Sequence, residues 1–319
     1  MTNPPLHLND RAARVADQMA ARADELAIGV HRVGGARVLD AGVKVIGGIG
    51  AGLMLARACT ADLVEVSVVP GAVGNTALPA IAVHTSRPVA ACMASQYAGW
   101  QISVGKYFAM GSGPMRAAAK TEDIFGDIGH VETPRCALGV LETAGLPDEK
   151  VVTMIAEACG VEPEHLTLLA ARTASIAGGV QIVARSIETA MHKLHALKFD
   201  LKRVVGGFGA APLPPVAADD VSAIGRTNDA VLYGAQVTLL VRGDDDSLEA
   251  AGRQLPSSAS KDYGEPFAAI FRQVDHDFYK IDPMLFSPAS VSLQNIESGR
   301  SHQFGETNHQ VLVQSFFGE

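Results

Sequence analysis

The 319-residue chain has no CxxC pair, no long uninterrupted apolar run and no surplus of positive charge, and each absence closes off a class of function. Its four cysteines, Cys59, Cys92, Cys136 and Cys159, are too scattered for a disulfide framework or a zinc site. They read as small buried hydrophobes in a reducing compartment. The apolar-looking stretch 168–184 is interrupted by Arg172, Thr173, Ser175, Gly178, Gly179 and Gln181, whereas a bilayer span needs about 20 predominantly apolar residues. Residues 1–10 are polar, with no basic segment leading into an apolar one, so no secretory leader is expected and a cytoplasmic location is. A formal net charge of −8 argues against nucleic acid or an anionic membrane as partner. The Lys/Glu enrichment of hyperthermophiles is missing, and abundant alanine and arginine point to a mesophilic source.

What is present is a mixture of helical and strand patterns without a repeat period. Asn9 or Asp10 can cap a helix to about Ala27, with Val15, Met19 and Leu26 on its apolar side. Residues 36–39, 62–69 and 80–85 read as strands, the second alternating Val64, Val66 and Val68 with Glu65 and Ser67. Thr133 and Pro134 read as the cap and first residue of a helix ending near Gly145, and Pro147 opens another ending at Gly160. A buried strand is expected at 166–170, one long helix at 175–199, and strands at 231–242, 290–296 and 309–316. This mixture predicts an α+β fold of two units. The proline-rich GAAPLPPV at 209–216, followed by Asp219 and Asp220, reads as a linker. It suggests an N-terminal unit of residues 1–210 and a C-terminal unit of 211–319, with a discontinuous domain equally permitted. The acidic run 244–246 and residues 256–261 read as exposed turns.

Several motifs invite chemistry and stop short of it. In VKVIGGIGAGLMLAR (43–57), Gly48 and Gly50 fit the first two glycines of a dinucleotide fingerprint, but Leu53 stands where the third must allow close packing. A glycine turn opening a helix is the better reading, and a Rossmann fold is not expected. His130-Val131-Glu132 matches the first half of a zinc deaminase site, yet only an isolated Cys136 follows where a P-C-x-x-C pair is required. Asp275-His276-Asp277 reads as a solvated polar patch. No metal site is expected. In GKYFAMGSGPMR (105–116), Gly111, Ser112, Gly113 and Pro114 cannot continue a regular element, so their amides could approach a ligand, with Lys106 and Arg116 as cations at the two ends. A tight turn explains the same residues equally well.

The helical stretch after Ser175 carries the most informative pattern. Val183, Ile187, Ala190, Leu194 and Leu197 make an apolar stripe, and Gln181, Arg185, Glu188, His192 and His195 a polar one. Arg185 and Glu188, three apart, project side by side. On pattern alone they can be a solvent-facing pair worth a few tenths of a kcal/mol, in the base-before-acid order that helps a helix least.

Taken together, RTASIAG (172–178), ARSIET (184–189), MGSGP (110–114), DPMLFSP (282–288) and the ending 305–318 resemble the methenyltetrahydromethanopterin cyclohydrolase family along the whole chain. The resemblance implies reversible hydrolysis of a cationic N5,N10-methenyl carrier to its N5-formyl form, with no metal and no cofactor, the pterin carrier being the substrate. It implies two compact domains with a ligand pocket between them, and a homotrimer. Family enzymes use an arginine and a glutamate three residues apart, which Arg185 and Glu188 match as catalytic residues. Lys106, Gly111, Ser112, Gly113 and Pro114, with Phe286, Ser287 and Pro288, are implied as substrate-binding. Met115 stands where many relatives have alanine, which matters to the ligand tail if it lines the pocket. The family occurs in methanogenic archaea and methylotrophic bacteria, and the composition favours a bacterial member oxidising formaldehyde.

The chemistry fits these residue types. The methenyl carbon is already electrophilic, so the reaction needs a placed water, a base for its proton and an acid for departing N10. One carboxylate can serve as both in turn, and an arginine can orient it and stabilise developing negative charge. The rival readings are a tetrahydrofolate enzyme, a nicotinamide oxidoreductase resting on the defective glycine motif, and a non-catalytic pterin carrier.

Overall fold

The computed structural model describes residues 6–130, 132–275, 277 and 280–318. The chain divides into two compact units, the first of residues 1–63 and 90–178, the second of 64–89 and 179–319. The division therefore does not fall near residue 210. Residues 209–212 of the expected linker form the end of strand β9 (Val204–Pro212) of the second unit, where glycines and alanines let a helix lie close: Gly207 faces Ile187, and Gly209 faces Ser186.

The first unit is built on a six-stranded mixed sheet, ordered β1 (Gly29–Val33), β2 (Ala36–Gly42), β8 (Leu166–Ala171), β7 (Ala137–Glu142), β6 (Tyr107–Ser112) and β5 (Trp100–Val104). The middle three strands run parallel, and the others are antiparallel to their neighbours. Helices α1 (Leu8–Ala21) and α3 (Ile49–Cys59) cover one face through Val15, Met19 and Leu55, meeting Leu39, Leu138 and Leu169. On the other face α6 (Glu149–Cys159) and α4 (Met115–Ala119) bury Val152, Ile155 and Met115 against Val38, Leu141 and Leu168. Short helices α2 (Ala23–Leu26) and α5 (Ile124–Ile128) complete the unit. The helix expected at 133–145 is instead β7, a strand with Ala137–Leu141 buried throughout, as a central parallel strand covered on both faces must be. Asn9 does not cap α1. It is buried within it and bonds Pro114 O (2.9 Å) and the Leu138 amide (2.9 Å).

The second unit carries a sheet ordered β12 (Ser301–Gly305), β11 (Ser290–Asn295), β10 (Gln236–Val241), β9, β4 (Thr76–Thr85) and β3 (Glu65–Val73). Only β10 and β11 are parallel. The β3–β4 hairpin joins β9 with Ile81 opposite Ala211, which places residues 64–89 with the C-terminal half. Helix α7 (Ile176–Val183) contains the seam between the units, and α8 (Ser186–Ala196) lies on β4, β9 and β10. The unit also has α9 (Asp220–Leu232), α10 (Asp245–Gly252), α11 (Phe267–Gln273) and α12 (His309–Phe317). The strand expected at 309–316 is α12. Asn308 caps it, and Val311, Leu312 and Phe316 recur at helical spacing on its buried side. Asp219 and Asp244, within runs read as linker and turn, are the side-chain caps of α9 and α10. Among the described residues no helix is long and apolar enough to cross a membrane.

One buried carboxyl makes the second unit sensitive to pH. Asp229 of α9 is fully buried and accepts from the Phe267 amide (2.8 Å) and the Ser315 hydroxyl (2.6 Å). Burial pushes it up to about 7, although both donors favour the charged form. Because the folded value lies above the unfolded one, the stabilising contribution of the proton is complete below about pH 4 and is lost as pH rises through about 7. Asp229→Asn keeps an acceptor oxygen and should flatten the stability curve between those limits, where one group contributes at most about 1.4 kcal/mol per pH unit. Denaturant unfolding of both proteins across this range is the measurement, and parallel curves would remove Asp229 as the titrating group.

Candidate active site

The long helix expected at 175–199 is two helices, broken at Ala184 and Arg185. Arg185 sits at the break as the residue before α8, with φ −90° and ψ 8°. Glu188 follows in the first turn of α8, where a carboxylate is favoured by the helix dipole. Nη1 of Arg185 lies 3.7 Å from Oε2 of Glu188, and its Nε donates to Gln181 Oε1 at 3.5 Å. The pair is not solvent-facing: Arg185 is 8% exposed and Glu188 5%. A surface pair needs no such enclosure, and burial of two ionised groups is costly unless their geometry is used.

The polar stripe continues along α8. His192 and His195, one and two turns beyond Glu188, are half-buried. Burial first, then the nearby charges of His195 and Lys193, hold His192 down to about 4, so its imidazole is neutral at physiological pH. Lys193, on another side of α8, is almost completely buried and donates from Nζ to Met284 O. Burial brings it down to about 8, with Asp282 opposing the shift. Sequence reasoning missed Lys193 altogether. Its position between the two stripes was the available signal, because a lysine with Ala190 and Leu197 one turn to either side on a two-sided helix has little water to reach.

Lys193 ties α8 to the 282–288 segment that holds the other expected binding residues of this unit. Asp282 accepts from the Ser260 hydroxyl (2.7 Å) and the Met284 amide (3.0 Å). Phe286 is half-buried, its ring 5.8 Å from that of Phe267 in an edge-on arrangement. Ser287 and Pro288 are buried; the Ser287 hydroxyl donates to Leu255 O and the Pro288 carbonyl accepts from the Ser257 amide. Of these three residues only Phe286 offers a partly accessible surface.

The remaining expected binding residues lie in the first unit. Lys106 is exposed in the two-residue turn between β5 and β6, with Val104 opposite Tyr107. Gly111 and Ser112 end β6, and Gly113 turns the chain into α4 with φ +87°, a conformation that favours glycine. All four residues from Gly111 to Pro114 are buried. The Gly113 amide was expected to be available to a ligand, but it donates to Ser95 O (2.9 Å). Ser112 Oγ lies 3.3 Å from Cys59 Sγ and 3.4 Å from Val140 O. Met115 is fully buried, so it lines no open surface; added Cβ atoms at Gly111 and Gly139 would collide with it. Nor is Arg116 a ligand-seeking cation. It is fully buried, makes a two-point pair with Glu122 (2.7 Å each), donates to Met93 O and Ser95 O (3.2 Å each), and lies over Tyr97 and Phe125. This turn is held by internal bonds, as a structural turn is.

The decoy motifs resolve into structure. Gly47 adopts φ +61° and packs against Ala41 O, and the Asp40 carboxylate accepts the amides of Gly42, Val43 and Lys44 (2.7–3.0 Å), so the glycine turn is a rigid entry to α3. Glu132 accepts the Leu8 and Asn9 amides (3.2 and 3.1 Å), capping α1; Val131 lies outside the described residues. His276 of the Asp275–Asp277 patch also lies outside them. Among the described residues no three His, Cys, Asp or Glu side chains cluster as metal ligands. The four cysteines are free thiols, and burial pushes Cys136 up to about 11 and Cys159 to about 12, which leaves them unreactive.

A family model described as Cyclohydrolase (MCH) matches residues 7–316. A methenyltetrahydromethanopterin cyclohydrolase of Rhodopirellula baltica is 48% identical over 290 residues, covering 89% of this chain and 87% of that protein. One of the same name from Methylobacillus flagellatus is 45% identical, covering 88% and 86%. Another from Methanosarcina barkeri is 41% identical, covering 98% of each chain.

Proposed function

The chain belongs to the methenyltetrahydromethanopterin cyclohydrolase family, and from that premise we propose that Arg185 and Glu188 carry its reaction. The activity is the reversible addition of water to a cationic N5,N10-methenyl-tetrahydromethanopterin-type carrier, giving the N5-formyl form. The observation that carries the residue assignment is the buried ion pair at the start of α8. Glu188 takes a proton from water as its oxygen attacks the methenyl carbon. The protonated carboxyl then delivers that proton to N10 as the C–N10 bond breaks. Arg185, 3.7 Å away, holds the carboxylate and water in register and stabilises charge developing on the attacking oxygen.

The electrophile brings its own positive charge, so the step needs neither a Lewis acid nor a redox cofactor, and we assign none. Phe286 suits one face of a pterin ring, and Lys106 an anionic group on the carrier. Gly111, Ser112, Gly113 and Pro114 act as buried supports within the first unit, and Ser287 and Pro288 within the second. A homotrimer and a cytoplasmic role in formaldehyde oxidation are further parts of the proposal. Family resemblance supports both, and the free thiols, three of the four buried, suit a reducing compartment. Purified protein should abolish the absorbance of the methenyl carrier, at a rate unchanged by dialysis against a strong chelator. A rate lost on dialysis and restored by zinc would overturn the mechanism, and light scattering that returned one subunit's mass would overturn the trimer.

A further inference from the structure

Hydrolysis of a cationic methenyl group to a neutral formyl group releases a proton at every turnover. Water supplies two hydrogens; one ends on N10, and the other must leave when the added hydroxyl becomes the formyl oxygen. If Glu188 is the base, as proposed above, it finishes the cycle holding that second proton. At 5% exposure it is badly placed to hand the proton to bulk water.

Helix α8 offers a route. His192 and His195 stand four and seven residues after Glu188, and at 100° per residue all three fall on one side of the helix, each next to its successor. Glu188 is buried, His192 and His195 beyond it are half-buried, and Ala196, next to His195 at the helix end, is exposed. The other charged groups of the helix are arranged around this row rather than in it. Arg185 pairs with Glu188 from the preceding turn, and Lys193 turns to Met284 and Asp282.

We propose that His192 takes the product proton from Glu188 and passes it through His195 to solvent, making this face of α8 the proton exit of the site. Glu188 returns to the carboxylate as His192 becomes an imidazolium, and His192 returns to neutral as His195 and then water accept the proton. No other group is oxidised, reduced or consumed. The low basicity of His192 suits a relay, because a group held near 4 passes its proton on instead of storing it.

The test is kcat against buffer concentration. In weakly buffered solution His192→Gln should lower kcat by about 10-fold, less than the 10²–10⁴ range of a direct general base, with KM unchanged. Added imidazole should restore the rate of the variant and leave the wild-type rate alone, because a small diffusing base can replace a missing relay. A merely structural histidine gives no such recovery. Wild-type kcat in weakly buffered His192→Gln, or a reduced kcat that no buffer raises, overturns the relay. Should that variant not fold, His195→Gln decides alone: a buffer-dependent kcat supports the route and a buffer-independent one overturns it. Failure of the base assignment itself is read separately, from Glu188→Gln.

Discussion

Glu188→Gln lowers kcat by about 10²- to 10⁴-fold, the range that general acid–base catalysis contributes. Glutamine keeps the length of the side chain and an acceptor oxygen for Arg185, but it cannot take a proton from water or give one to N10. Because substrate contacts are kept, the loss falls on kcat rather than KM. The sequence pattern alone suggested that stability would be untouched, and burial changes that expectation. Removing one partner of a buried ion pair outright costs about 3–5 kcal/mol. The glutamine retains a hydrogen bond, so its cost is smaller, and kcat must be expressed per folded molecule. Arg185→Ala should also lower kcat strongly, and the double variant should lose far less than the product of the two single losses if the groups act as a unit. Steady-state kinetics of the three variants with denaturant unfolding in parallel is the measurement. A folded Glu188→Gln protein that keeps more than about a tenth of wild-type kcat sinks the assignment, since that loss lies below the general-base range.

Arg116→Met destabilises the first unit by about 3–5 kcal/mol, the cost of breaking a buried charge pair. Four donated hydrogen bonds disappear together, two to Glu122 and one each to Met93 O and Ser95 O. Methionine fills much of the volume between Tyr97 and Phe125, so the loss reports the missing donors more than a cavity. Glu122 is 15% exposed at its side chain, so water can reach part of its carboxylate and draw the value toward the lower end. Arg116→Lys should recover only part of the loss, because one ammonium cannot reproduce a two-point guanidinium pair. Equilibrium unfolding checks both variants. A loss below about 1 kcal/mol for Arg116→Met, the level of a surface pair, would show that the arginine is not what holds this turn.

These two arginines show what could and could not be read from the chain. Spacing placed Arg185 beside Glu188 without any structure, because i and i+3 are neighbours on a helix whatever surrounds it. Spacing could not say whether water reached them, and the break at Ala184 was invisible because neither Ala184 nor Arg185 disfavours helix. Arg116 misled in the opposite direction. A cation beside a glycine-rich turn resembles an anion site, and only the fold shows that Glu122, six residues on, consumes its charge. The strand β8 was legible from a short, mainly apolar run bounded by His165 and Arg172, and α6 from Pro147 before it and Gly160 at its end, although Asp148 and not Pro147 is its cap. The strand β7 was lost because Thr133-Pro134 imitates a helix start, and α12 because short apolar runs do not declare their period. What organises the molecule at long range, the pairing of Ile81 with Ala211, leaves no local trace.

That same pairing constrains the order in which the chain can be completed as it is synthesised. The β3–β4 hairpin emerges early, yet the strand it must join, β9, begins only at Val204, after the last residue of the first unit has been made. The first unit can therefore close its sheet by residue 178 with the hairpin looped out of it, while β4 waits with an unpaired edge. Closing that gap is a long-range, slow event. Pro70 and Pro79, which stand opposite one another in the hairpin, remove two backbone donors from a ribbon that must stay solitary until its partner arrives.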